Sequence, residues 1–281
     1  MDKRFCDLHT HSCCSDGTCT PVNLIEQAKE LGMAAIALCD HNTVAGLPEF
    51  MAAAATHGVE GIPGVEFSTQ YDDTELHILG LFVKPETYGQ ITQMLEDLLR
   101  AKEQSNRVLV QKLNAAGIFL DYDQIKASSG GYVNRAVIGA EMTRLGYTES
   151  VKDAFKRYLS ESKGYYAPPP RLGAFEAIRF IKSIGAVAVL AHPFLNLDEE
   201  GLRGFLPTAV KAGLDGMEVY YSKFTQEETV LAERMAQEFG LLPSGGSDYH
   251  GDNKPDIRIG VGRGDLQIPY RLLEDLRSRA G

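Results

Sequence analysis

The α/β fold predicted by this sequence is a βα barrel of about seven strands interrupted by a helical insertion, and three observations predict it. Short apolar runs alternate with amphipathic helical stretches in both halves of the chain, and polar side chains recur at the ends of those runs. Over residues 85–170 the alternation fails and helical segments follow one another. Strands that alternate with helices imply parallel pairing, and parallel strands covered on both faces read as continuous apolar runs. With 281 residues, the chain can bury a core of that size.

The first strand is read over residues 4–11. A period of two sets Phe5, Asp7, His9 and His11 on one face, with Cys6, Leu8 and Thr10 on the other. Two imidazoles at a strand end suit a divalent cation, but they equally suit solvated histidines at a strand-to-loop junction, and the pair alone leaves both open. Ser15-Asp16-Gly17, taken alone, is a turn. Thr20 as N-cap and Pro21 at the first helical position open a helix with an apolar stripe of Leu24, Ile25, Ala28 and Leu31, stopped by Gly32. Residues 34–38 form the next apolar run, ending in Cys39-Asp40-His41, and residues 43–57 are helical up to Gly58. Residues 61–67 carry Glu66, and residues 75–83 carry His77.

The second half repeats the pattern more regularly. Helices are expected over residues 175–183, 202–212 and 227–239, with a closing helix over 270–279. Between them lie strands over 186–191, ending in His192-Pro193, and over 216–221, and the run 241–244, which leads into Ser247-Asp248-Tyr249-His250. The middle of the chain is helical over 87–116, 134–145 and 150–159, and Pro168-Pro169-Pro170 is a stiff return. The expected organisation is a barrel over residues 1–84 and 171–281, with an insertion over 85–170 that covers the substrate.

Composition excludes several classes. With 44% hydrophobic and 23% charged residues, no apolar run near 18 residues and no basic apolar leader, neither a membrane partner nor secretion is expected, and a cytoplasmic location is. A net charge of −10 disfavours duplex nucleic acid, which is held through many Lys and Arg contacts to phosphate. The five cysteines all precede position 40, and their odd number and irregular spacing argue for free thiols. A thiolate site from Cys13, Cys14 and Cys19 is the weaker alternative, because no CxxC pair exists.

Six of the seven histidines, His9, His11, His41, His77, His192 and His250, fall at or near predicted strand ends, and only His57 does not. In a βα barrel those ends form one rim, where active sites of this architecture are built. Asp7, Asp16, Asp40, Glu66 and Asp248 join them, so the rim collects more donors than one tetrahedral ion needs. A cluster of two or three cations follows.

The ordered series His9-Thr10-His11, Ser15-Asp16-Gly17, Asp40-His41, Glu66, His77, Ala191-His192-Pro193 and Ser247-Asp248-Tyr249-His250 closely resembles the PHP (polymerase and histidinol phosphatase) family of metal-dependent phosphoesterases. The resemblance implies a distorted seven-stranded (β/α)7 barrel and two or three divalent ions, Mn, Fe or Zn. It implies one ion at His9, His11, Glu66 and Asp248; a second sharing Glu66 with His77 and His192; and a third at Asp16, His41 and His250. Asn42 departs from the family, many members of which carry a second aspartate there. The insertion resembles that of stand-alone members acting on nucleotides and short RNA, over residues 131–146 and 162–168. Arg135 then matches an arginine facing the substrate phosphate, although Ala136-Val137 replaces the usual Pro-His.

The resemblance implies that three divalent ions against the carboxylates Asp16, Glu66 and Asp248 leave a site of about +3, suited to a phosphate dianion. His192, Glu66 and Asp248 are the expected catalytic residues, with His192 or water on the third ion protonating the leaving oxygen. Arg135, Lys163, Arg171 and Asn196 are expected to bind the substrate, and Tyr165 or Tyr166 to stack on a base. The leading expectation is a phosphoesterase for nucleotides or short oligonucleotides. The alternatives are a phosphatase for histidinol phosphate or another small monoester, and a non-catalytic metal-stabilised binding module.

Overall fold

The computed structural model describes residues 4–129, 133–264 and 266–281, so Gly131, where one insertion segment was expected to begin, lies outside the described residues. Eight strands form a single sheet. They are β1 (Phe5–Thr10), β2 (Ala35–Leu38), β3 (Glu60–Tyr71), β4 (Thr74–Leu81), β5 (Val187–Leu190), β6 (Gly216–Tyr221), β7 (Leu242–Gly246) and the two-residue β8 (Ile268–Pro269). Their order is β7-β6-β5-β4-β3-β2-β1-β8. The sheet curls until the end of β7 meets β1: Asp248 N donates to His9 O at 2.8 Å, and His11 N to Tyr249 O at 2.9 Å. The seven-stranded barrel expected from the sequence is present, and β8 is added to it.

Pairing departs from the all-parallel expectation. β3 and β4 form an antiparallel hairpin, turned at Asp72 in left-handed backbone (φ 49°), and β4 is also antiparallel to β5. A turn of two residues cannot accommodate the crossover that a parallel pair requires. Because β4 runs backwards, its N-terminal end lies on the rim, and His77, paired with Ser68 of β3, sits there.

The helices of the barrel unit follow their local signals. Thr20 caps α1 (Pro21–Glu30) by accepting from Asn23 N. Gly58 ends α2 (Leu47–His57) in left-handed backbone, φ 70°. The barrel core joins Cys6, Leu8, Ala35, Ala37, Ile62, Leu79, Leu81, Val187 and Val189 to the underside formed by Leu272, Leu273 and Leu276. This apolar plug fills one end and leaves the other to polar groups.

The chain divides into two compact units, Met1–Thr92 with Leu172–Gly281, and Gln93–Arg171. The second contains most of α3 (Tyr88–Ala115) and all of α4 (Tyr122–Ser128), α5 (Arg135–Arg144) and α6 (Val151–Ala154), the last continued by a π-helical turn, Phe155–Leu159. It has its own core of Leu109, Leu113, Ile125, Ile138, Met142 and Leu159, and no strand among its described residues. Asp121 caps α4, a short helix absent from the sequence expectation.

β1 carries the irregularity on which the site depends. Its register against β2 shifts between Asp7 and Thr10, a bulge of the kind found beside active sites. The alternation that would group Asp7 with His9 is broken there. Cys6 and Leu8 enter the core, His9 and His11 turn to the rim, and Asp7 accepts backbone N–H from Ser247 (2.8 Å), Gly260 (2.8 Å) and His9 (3.3 Å). β7 approaches so closely that a Cβ on Gly246 would collide with His9 Cβ and lie 2.7 Å from its backbone nitrogen. Gly246→Ala is therefore predicted to cost about 1–3 kcal/mol by overpacking and to weaken metal binding with it, read from urea denaturation and metal titration of the same preparation.

Candidate metal centre

Glu66 stands in the middle of β3, fully buried, with five imidazoles around its two oxygens. Oε1 lies 2.9 Å from His77 Nδ1 and 3.0 Å from His192 Nε2. Oε2 lies 3.1 Å from His9 Nε2, 3.2 Å from His11 Nε2 and 3.0 Å from His41 Nδ1. Asp248 Oδ1 comes within 3.3 Å of His11 Nε2 and 3.9 Å of His9 Nε2. At the solvent edge, Asp16 brings Oδ1 to 3.2 Å from His250 Nε2 and Oδ2 to 3.8 Å from His41 Nε2. The donor atoms gather in overlapping groups, each within 4.8 Å: His9, His11 and Asp248; His9, Glu66 and His192; His41, Glu66 and His77; and His11, Asp16, His41 and His250.

Nitrogen lone pairs brought this close repel one another unless protons or cations stand between them. His9 Nε2 and His11 Nε2 are 3.0 Å apart. Glu66 Oε2, His11 Nδ1 and His41 Nδ1 are buried without a hydrogen bond, because their neighbours converge on a common space rather than along bonding directions. An unpaired buried polar atom costs about 1–3 kcal/mol, more for a charged group. Neutral imidazole and carboxylate are the donors that first-row divalent cations take. The residues therefore fit divalent metal. No cysteine joins any such group among the described residues, and Cys13 and Cys14 are exposed.

The electrostatics agree. Burial pushes the Glu66 carboxyl upward, yet the charge of His9 and the contacts of His11, His192 and His77 hold it well below the usual range. Asp248 is depressed in the same way, against burial, by His11 and His9. His41 is pushed down to about 4, chiefly by burial. His77 moves up to about 10, because bonds to Glu66 and Glu75 overcome its burial.

Loop geometry aims the ligands. Asp40 joins none of the groups; it accepts from Ser12 N, Ser12 Oγ and Ser15 Oγ, each at 2.7 Å, and so shapes the loop that carries Asp16. Asn42 takes left-handed backbone (φ 51°) and clamps β3 by accepting from Ser68 N (3.1 Å) and donating to Ser68 Oγ (3.0 Å). His192 and Asp248 also have positive φ, 28° and 57°, a strained state that clusters at functional sites. Tyr221 Oη (2.8 Å) and Lys254 Nζ (2.6 Å) donate to Asp248 Oδ2, leaving Oδ1 to face the histidines.

Asp7, counted among the rim donors in the sequence, binds backbone instead. The carboxylate that holds the His9 ring is Glu218, fully buried, with Oε1 3.0 Å from His9 Nδ1. Its signal in the sequence was a single carboxylate inside the apolar strand 216–221. Of the expected substrate residues, exposed Asn196 donates to Glu75 O at 2.8 Å. Arg135, Lys163 and Arg171 belong to the second unit, as do Tyr165 and Tyr166. There the Arg135 guanidinium lies 4.1 Å over the Tyr166 ring and donates to Leu159 O at 3.2 Å, so it is partly engaged within its own unit.

A barrel whose rim gathers six histidines and three carboxylates defines a metal-dependent hydrolase. The PHP domain family matches residues 7–167. A 5′-3′ exoribonuclease of Haemophilus influenzae is 36% identical over 89% of this chain and 91% of its own. A 3′,5′-nucleoside bisphosphate phosphatase of Chromobacterium violaceum is 28% identical over 90% of each chain. A crystal structure described as a metal-dependent phosphoesterase of Bifidobacterium adolescentis superposes with a TM-score of 0.70, at 28% identity, over 100% of this chain and 98% of that one. The chain belongs to the PHP family, and it is a metal-dependent phosphoesterase. No helix among the described residues is long and apolar enough to cross a membrane.

Because the folded pKa of His77 is raised from 6.5 to about 10, its contribution to stability is complete below pH 6.5 and is lost as pH rises through 10. Chelator-treated protein is predicted to melt at progressively lower temperature across that window. The decline should be smaller in His77→Gln, as followed by circular dichroism.

Proposed function

We propose that this enzyme hydrolyses phosphate esters of nucleotides or short oligonucleotides, using two or three divalent ions drawn from Mn, Fe or Zn. The observation that carries the reading is the convergence of nine donor side chains, Glu66 among them, at one rim. Its substrate class rests on the exoribonuclease and bisphosphate phosphatase relatives. One ion would be held by His9, His11, Glu66 and Asp248; a second by Glu66, His77 and His192; and a third by Asp16, His41 and His250.

Such ions supply positive charge to the phosphate oxygens and lower the pKa of a bound water toward neutrality. The protein supplies the rest. Glu66 ties the groups together through both oxygens, so the ligands are oriented before substrate arrives. Asp248 is fixed by Tyr221 and Lys254 and offers its free oxygen to the centre. His192 is the group we assign to the proton of the leaving oxygen, on the condition that its Nε2, 3.0 Å from Glu66 Oε1, stays out of the second ion's ligand set, because a nitrogen that holds an ion has no proton to give. Arg135, Lys163, Arg171 and Asn196 are assigned to substrate phosphates, and Tyr165 or Tyr166 to a base. For Arg135 the stacked, partly engaged guanidinium leaves nitrogen donors for an anion, and its planar fork matches phosphate geometry.

Phosphate release from adenosine 3′,5′-bisphosphate, AMP, histidinol phosphate and a short 5′-phosphorylated RNA separates the substrate classes. Activity on the bisphosphate or RNA is expected, and activity on histidinol phosphate alone would refute the nucleotide assignment. Glu66→Gln is predicted to lower kcat by about 100-fold or more. His192→Ala should lose more turnover with poor leaving groups than with good ones; equal losses would remove it from the acid role.

A further inference from the structure

Glu218 lies inside the barrel on β6, fully buried, and touches two expected metal ligands from two different strands. Oε1 is 3.0 Å from His9 Nδ1. Oε2 accepts the backbone N–H of His192 at 2.6 Å. An ionised carboxylate only accepts, so His9 must carry a proton on Nδ1, and in the neutral ring that a metal takes this leaves the Nε2 lone pair directed at Glu66 Oε2 and His11 Nε2. His192 has a positive φ of 28°, and its N–H is held at the point where the chain leaves β5.

Building on the metal-centre reading above, we infer that Glu218 is a positioning residue that sets two ligand groups at once. It fixes the tautomer of His9, which faces His11 and Asp248, and it fixes the backbone that carries His192 to Glu66. Two other histidines are held differently: His250 Nδ1 is bonded to the carbonyl of Asp248 at 2.8 Å, and His77 Nε2 to the exposed Glu75 at 3.1 Å. The inward-facing carboxylate of Glu218 thus ties ligands from two strands together.

The amide isostere makes this testable by atoms. Glutamine has the shape of glutamate but one acceptor and one NH2. With the NH2 toward His192, two donors face each other. With the NH2 toward His9, it donates to Nδ1, the ring proton moves to Nε2, and the atom facing the centre loses its lone pair. Both orientations spoil a ligand while leaving the packing volume unchanged.

The experiment titrates Mn2+ alone into metal-stripped wild type and Glu218→Gln, in competition with a chelator. Melting of both stripped proteins is measured alongside, together with 15N-histidine spectra of zinc-loaded wild type. The expected result is a loss of about 10- to 100-fold in metal affinity in Glu218→Gln, with a cooperative melt retained and a protonated, slowly exchanging Nδ1 on His9 in wild type. Unchanged affinity in folded Glu218→Gln would overturn the inference. Should Glu218→Gln fail to fold, the wild-type spectrum decides, and an unprotonated His9 Nδ1 would overturn it. Wild type that binds no Mn2+ would instead refute the metal-centre reading on which the inference rests.

Discussion

Five imidazole nitrogens within 3.2 Å of one fully buried carboxylate, Glu66, form the constraint to which the rest of the barrel answers. A lone charge in that position would be costly, and packed lone pairs would add repulsion. Cations that neutralise both resolve the conflict, and the fold is arranged to present the donors to them. The bulge in β1 turns His9 and His11 toward the rim, the reversal of β4 brings His77 to it, and left-handed backbone at His192 and Asp248 aims the last ligands. Each device departs from regular barrel geometry. Regular strands would have placed these side chains on other faces.

Much of this was legible in the sequence. The apolar runs, the caps at Thr20 and Gly58 and the sorting of histidines to run ends identify a βα barrel with a polar rim, because those signals are local. What failed to show was non-local. The antiparallel hairpin of β3 and β4 depends on a two-residue turn that composition does not reveal, and the bulge depends on how β1 registers against β2. The bulge separates Asp7 from His9, which an unbroken strand would keep on one face. Periodicity assumes an unbroken strand, whereas the partner of His9 comes from β6, more than two hundred residues away.

The second unit contributes a different kind of chemistry. Its described residues hold a helical core of their own, with Arg135 stacked on Tyr166 and Lys163 exposed nearby in sequence. Cationic and aromatic side chains of this kind suit a phosphorylated, base-bearing ligand. The protein's net charge of −10 makes such local cations the more distinctive.

The most direct test of the central claim is anomalous diffraction from crystals grown with Mn2+. A centre tied together by Glu66 predicts at least two peaks in direct contact with Glu66 oxygens, one with His9 and His11 and one with His77 and His192, and a further peak by Asp16, His41 and His250. Active crystals with no peak at Glu66, or with metal bound only at the cysteines of residues 13–19, would contradict it.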